Sequence, residues 1–302
     1  MILIKKTVFS PPSGTNKEQL NYIKKNLKDS KGRYLASKID WLYLENFSSN
    51  SSEQYPVAIT GRGEPLLLIH GFDSCFLEFR RLVPFLEKKY RLLIPDLYGF
   101  GFCPRPLNDN YGFEKIISHL TSLLNKLTDK ESVGIIGASM GGTISMELAR
   151  RNPKKINKML LLSPAGLTES KTKIPWPINH IGVCFLKQGG VRKSLCRQSF
   201  ADPQKSVGIE EEEIASIHLN VPGWGRSLAS FAKNGGVANN KKPIPSQPTK
   251  IIWGKEDKII KAPQRNKSMK YLGKALNELN ECGHLPHLDR PKKIADEWLE
   301  NF

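Results

Sequence analysis

Hydrophobic positions along the chain fall into two kinds of pattern. Four runs, LLLIHG (ending at Gly71), RLLIPD (91–96), VGIIGAS (133–139) and KMLLLSP (158–164), are apolar without alternation. A strand reads this way when a parallel sheet is covered on both faces. Between the runs, residues 76–88, 112–128 and 140–151 have the length and spacing of helices. Strand–helix alternation of this kind predicts an α/β fold with a doubly wound, mostly parallel sheet. Two shorter strand-like runs, IDWLYLENF and YPVAITG, precede it across the turn SSNSSEQ. TKIIWG (249–254) and KALNELN (274–280) resume the strand pattern, and the amphipathic PKKIADEWLENF closes the chain as a helix.

The break in this pattern divides the chain. Residues 39–166 and 248–302 carry the sheet and form the expected core. Residues 167–247 hold PWP, two glycine-rich stretches, the acidic run EEEE and VPGWG, with no strand of the earlier type. An insertion of that length between two sheet strands is expected to be a helical lid over the strand ends. Residues 1–38 are polar and basic, and read as a loosely held N-terminal extension.

Composition changes the picture little. Of 302 residues, 39% are hydrophobic and 25% charged, a balance that can bury a core. Five scattered cysteines with no CxxC spacing argue against a disulfide framework or a zinc site, and for a reducing compartment. The start MILIKKTVFSPPSG is too short in apolar residues for a signal-peptide core, so a cytoplasmic protein is expected. The net charge of +17 comes mainly from lysine, 33 of the 46 basic residues, spread through every segment. Specific nucleic-acid readers concentrate arginine and aromatics in one stripe, so none is expected here. Diffuse charge is enough for weak association with an anionic membrane surface.

Candidate chemistry is concentrated in VGIIGASMGGTISMELARR. Gly137-Ala138-Ser139-Met140-Gly141 is G-x-S-x-G between an apolar strand and a helix. On such a turn the serine takes strained dihedrals, its neighbours two residues away must be small, and its Oγ stands exposed at a helix N-terminus. A serine hydroxyl needs a base, and in this architecture the chain order is serine, acid, histidine. Asp257 follows TKIIWG by three residues and is the expected acid, with Glu256 as its rival. CGHLPHLDRP then supplies His284 as the expected base; His287 reads as packing, or as the alternative base. A metal site at the two histidines lacks a third ligand, so neither metal nor cofactor is expected. The oxyanion hole needs two backbone N–H groups, expected from Met140 after the serine and from Phe72 in LLLIHGFDS. His70 and Asp96 read as structural hydrogen-bonders at strand ends. His119, His180 and His218 carry no partner signal, and EEEE reads as a solvated helix start. Phe76, Tyr98, Trp176 and Trp224 are candidate walls of a substrate pocket, with Ile174, Ile178, Val183, Phe185 and Leu186 as further apolar lid positions.

In order, GRGEPLLLIHGF, DLYGFG, GASMGG, WGKEDKII and GHLPHLDRP resemble the α/β-hydrolase superfamily, over roughly residues 55–166 and 248–302. The resemblance is to the branch with a helical cap, which includes esterases, lipases, carbon–carbon bond hydrolases and proline iminopeptidases. It implies an eight-stranded sheet. Ser139 departs from the aspartate nucleophile of dehalogenases and epoxide hydrolases. Carbon–carbon hydrolases often carry a Trp after the catalytic histidine, where this chain has Leu285. The expected function is therefore hydrolysis of a lipophilic carboxylic ester. Carbon–carbon, amide or thioester cleavage on the same residues is the alternative, and a non-catalytic ligand binder on this fold is the alternative of another class.

Overall fold

The computed structural model describes residues 14–48, 50, 52–169, 172–238, 242–273 and 277–300. Each apolar run becomes a strand: β1 (Ile39–Leu42), β2 (Tyr55–Thr60), β3 (Glu64–Ile69), β4 (Tyr90–Pro95), β5 (Val133–Ala138), β6 (Ile156–Leu162), β7 (Thr249–Gly254) and β8 (Asn277–Leu279). They form one sheet in the order β1-β2-β4-β3-β5-β6-β7-β8. The β1–β2 and β2–β4 pairings are antiparallel, and the other pairings are parallel. The run expected over 274–280 is strand only at its end, and 274–276 lie outside the described residues.

Uninterrupted apolar runs feed two cores at once, because successive side chains leave a strand on opposite faces. Leu67, Ile69, Leu93, Ile135, Met159 and Leu161 enter one cluster. Leu66, Leu68, Leu92, Ile94, Ile136 and Leu160 enter the other. Helices cover both faces. Helix α1 (Asn16–Asn26) and α2 (Ser30–Ser37) precede the sheet, while α3 (Val83–Leu86), α4 (Phe113–Thr128) and α5 (Met140–Arg151) lie between its strands. The long helix expected over 76–88 is instead a 3-10 turn at Phe76–Phe79 followed by α3. Pro84 explains the break: it lacks the N–H that a continuing helix would use, and it fits the first turn of α3.

Residues 14–38 of the N-terminal segment are not loosely held. Thr15 and Glu18 close a capping box on α1. Leu20, Ile23, Leu27 and Leu35 are buried with the strand residues of the second cluster, because α1 and α2 present their apolar positions to that sheet face. Asp29, the N-cap of α2, pairs at 3.0 Å with buried Arg80. Residues 1–13 lie outside the described residues.

Between β6 and β7 the chain forms α6 (Ile178–Lys187), α7 (Gly189–Gln198), α8 (Pro203–Ser206), α9 (Ile209–Ser216) and α10 (Trp224–Lys233). Helices α11 (Ala262–Leu272), α12 (Pro286–Asp289) and α13 (Pro291–Glu300) complete the fold. Among the described residues, no helix is long and apolar enough to cross a membrane.

Candidate active site

Ser139 stands on the turn from β5 into α5 with φ 50° and ψ −118°, outside the regions that side chains favour. Backbone bonds clamp it there. Its N–H donates to Leu162 O at 2.8 Å, and its own carbonyl accepts from Gly142 and Ala165 at 2.9 and 3.0 Å. Close approach explains the glycines. A Cβ on Gly137 would fall 2.3 Å from Ser145 Oγ, and one on Gly141 would fall 2.2 Å from Ile69 O.

The structure brings His284 and Asp257 to this serine. His284 Nε2 lies 2.9 Å from Ser139 Oγ, and its Nδ1 lies 2.8 Å from Asp257 Oδ2. With Asp257 ionised, Nδ1 carries the proton and Nε2 is free to accept. Asp257 is fixed on every side. Oδ2 also accepts from Trp253 Nε1 at 2.8 Å, and Oδ1 from the N–H groups of Ile259 and Ile260 at 2.8 and 2.9 Å. Burial pushes its carboxyl up, but the hydrogen bond and charge of His284, with the Ile260 and Trp253 donors, outweigh it and hold the pKa below its ordinary value. The rival acid turns away: Glu256 Oε2 accepts from Cys282 N–H at 2.9 Å. So does the rival base. His287 is fully buried, packs on Phe79 with ring centroids 4.9 Å apart, and holds Nε2 3.1 Å from Glu78 Oε1.

The loop after β3 passes beside the serine. A Cβ on Gly71 would lie 3.3 Å from Ser139 Cβ, so Phe72 follows directly at the site, and Met140 opens α5 on the other side. His70 holds the loop as expected: Nε2 accepts from Leu97 N–H at 3.0 Å, which leaves Nδ1 to donate to Gly71 O at 2.8 Å. Asp96 ties the neighbouring loop by accepting from Phe76 and Phe102 N–H, both at 2.6 Å. Burial pushes its carboxyl up to about 7 despite those two donors.

A cavity of about 360 Å³ opens from Ser139 and His284 towards the inserted helices. Its apolar lining includes Phe72, Leu186, Leu195, Phe200, Ile214 and Ile259. Most aromatic positions expected in its wall are elsewhere. Phe76 is fully buried against Phe102, because the 3-10 turn points it into the second core cluster. Tyr98 stacks on Tyr111 at 5.3 Å and donates its hydroxyl to Asp109. Trp176 is 76% exposed, on the outside of the insertion, and Ile174, Ile178 and Phe185 are exposed there too. Of the lid positions named from the sequence, Leu186 lines the cavity.

Trp224 is engaged in a cluster that spacing did not suggest. Its indole N–H donates to Asp73 Oδ1 at 2.8 Å, and His218 Nε2 lies 3.0 Å from the same oxygen. Arg192 of α7 donates to Asp73 Oδ2. Burial pushes the Asp73 carboxyl up, yet the hydrogen bond from His218 and the charge of Arg192 outweigh it and bring the pKa down to about 2. One carboxylate beside Phe72 therefore fastens three parts of the insertion. His218, without a visible partner in the sequence, has one here. EEEE is also less solvated than expected: Glu211 is buried, lines the cavity and accepts from Arg80 at 2.7 Å and from Arg81. Among the described residues neither ring nitrogen of His119 has a hydrogen-bond partner, and burial among Phe47, Tyr55 and Tyr98 pushes its pKa down to about 3.

Sheet order, strand–turn–helix serine and convergent histidine define the class: the chain belongs to the α/β-hydrolase superfamily. Residues 64–182 match the family model described as alpha/beta hydrolase fold. The chain is 32% identical to 2-hydroxy-6-oxo-2,4-heptadienoate hydrolase of Pseudomonas putida, over 79% of this chain and 90% of that protein. It is 28% identical to the alpha/beta hydrolase domain-containing protein VTE7 of Arabidopsis thaliana, over 89% and 85% of the two chains. Among solved structures it is similar to a meta-cleavage product hydrolase from Pseudomonas fluorescens, with TM-score 0.67 and 25% identity over 82% of this chain and 93% of that one. Lipases also stand among its relatives.

Proposed function

We infer that the protein is a serine hydrolase that cleaves a neutral carboxylic ester with an apolar arm. The observation that carries this reading is the line of contacts from Asp257 Oδ2 through His284 to Ser139 Oγ, at 2.8 and 2.9 Å. His284 Nε2 takes the serine proton as Oγ attacks the ester carbonyl. The N–H groups of Phe72 and Met140 hold the oxyanion, each worth roughly 10²–10³ in turnover. His284 then gives its proton to the leaving alcohol. Water, deprotonated by the same nitrogen, releases the acid from Ser139, while Asp257 keeps the imidazole in one tautomer and stabilises its charged form.

The cavity favours a neutral substrate. Its two cationic side chains are already engaged, Arg192 by Asp73 and Arg80 by Asp29 and Glu211. An anionic substrate would have to compete with those carboxylates in a buried place, at high desolvation cost.

The similarity to the Pseudomonas putida heptadienoate hydrolase supports a second reading, carbon–carbon bond cleavage on the same residues. One experiment separates the readings. The protein and its Ser139→Ala and His284→Ala variants are labelled with a fluorophosphonate, the modified peptide is mapped, and turnover is measured on acyl esters of graded length and on a 2-hydroxy-6-oxo-dienoate. Label on Ser139 with ester turnover is expected. Dienoate turnover far above every ester would favour the second reading. No label on folded protein would overturn both and leave a non-catalytic ligand binder.

A further inference from the structure

Helix α6 is apolar on two sides, and among the described residues only one of them is covered. Its inner side is settled by contacts: Asn179 Nδ2 donates to Ala229 O of α10 at 3.1 Å, Val183 and Leu186 pack on the first core cluster, and Leu186 reaches the cavity. The outer side carries Ile178, Ile181 and Phe185, which at 100° per residue fall in one narrow stripe. They are 59%, 64% and 56% exposed, with Trp176 at 76% just before them. Scattered exposed apolar residues are ordinary, but a contiguous stripe of large ones marks an interaction surface.

Charge identifies what covers it. Residues 170–201 contain no aspartate or glutamate and six lysines and arginines. Lys173 and Lys187, on either side of the stripe in sequence, are exposed and have no carboxylate partner among the described residues. A second copy of the chain would bring its own +17 charge against this face. An anionic bilayer offers both complements, hydrocarbon for the stripe and negative headgroups for the lysines, as an interfacial helix requires.

We propose that α6 and the preceding Trp176 dock the protein on an anionic lipid surface, with Trp176, Ile178, Ile181 and Phe185 inserted at the headgroup boundary. Because Leu186 on the other side of the same helix lines the cavity, docking sets the cavity one helix away from the lipid. This surface does not depend on the chemistry of Ser139, so the two proposals fail separately.

The test uses the full chain with vesicles of phosphatidylglycerol and phosphatidylcholine, against vesicles of phosphatidylcholine alone. Partition is read by co-sedimentation and by the fluorescence shift of Trp176, with Trp176→Phe as control. Binding to the anionic vesicles that weakens with salt is expected. Ile181→Ser with Phe185→Ser should lower it about tenfold or more, and so should Lys173→Glu with Lys187→Glu, which keeps the test valid if the first pair disturbs folding. Ser139→Ala should bind as the parent does. No binding at low salt, or binding unchanged by both pairs, would overturn the proposal. So would self-association that the first pair abolishes, since a second copy would then cover the stripe. A protein that still labels on Ser139 but ignores vesicles defeats docking alone.

Discussion

The Asp73 carboxylate and the Trp224 indole meet at 2.8 Å, although 151 residues separate them in the chain. Asp73 follows the proposed oxyanion donor Phe72, and Trp224 opens α10 of the insertion. The contact joins the loop beside Ser139 to the inserted helices, which line the cavity there. Arg192 and His218 reach the same carboxylate, so it is a fourfold junction rather than a pair.

Asp73→Asn should therefore be costly. It leaves the Arg192 guanidinium buried without its counter-charge, a change worth about 3–5 kcal/mol of stability. Adding Arg192→Met should recover part of that loss. Denaturant midpoints of the two variants check this, and a loss in Asp73→Asn within the range of a surface substitution would remove the carboxylate from its anchoring role.

The two histidines of CGHLPHLDRP should separate cleanly. His284→Ala should lose fluorophosphonate labelling and on the order of 10⁴–10⁶ in turnover, the size seen when a member of a catalytic triad is removed. Asp257→Asn should lose about 10⁴, because the amide cannot hold the imidazole tautomer. His287→Ala should keep the label and lose stability instead, since its ring packs between Phe79 and Glu78. Label retained in His284→Ala would put the base elsewhere.

Acid should act on stability through three buried groups that do not all have the same sign. His119 titrates near 3 when folded and near 6.5 as a free group. The folded state resists its proton, so the His119 contribution falls as pH drops below about 6.5, by about 3 kcal/mol between pH 7 and pH 4, while Asp96, pushed up to about 7, takes up its proton in the folded state and adds stability over the same range. Asp73 has its folded pKa lowered from 3.8 to about 2, so its contribution is present above about pH 4 and is lost as pH falls towards 2. His119→Leu should remove the His119 loss, so the variant should gain on the parent as pH drops from 7 to 4, and should leave the Asp73 loss in place. Unfolding followed by circular dichroism across pH reads both, and a stability difference from the parent that does not grow between pH 7 and pH 4 would show that His119 carries no such loss.

Ile23→Ala, in α1, should destabilise the whole fold by about 2–5 kcal/mol, as for a core position. A loosely held extension would show no effect on the global denaturant midpoint. Ile23 is fully buried in the cluster that contains Leu66 and Leu92, so a single cooperative transition at lower denaturant is expected.

Sequence by itself determined the sheet, the serine turn and the chain order of Ser139, Asp257 and His284. Those features are local: an unbroken apolar run reports a strand covered on both faces, and the glycines around Ser139 report backbones that pass within van der Waals contact. It also left Glu256 and His287 as rivals, because adjacent carboxylates and histidines on a loop look alike until the backbone aims them. Tertiary structure decided what depended on partners far away in the chain. It turned Phe76 and Tyr98 into core, put Trp176 outside, packed α1 and α2 under the sheet, and gathered Arg192, His218 and Trp224 on Asp73. No periodicity signals such meetings, since a buried charge is satisfied by whichever group the topology carries to it, and that is settled only when the sheet and its insertion close over one another.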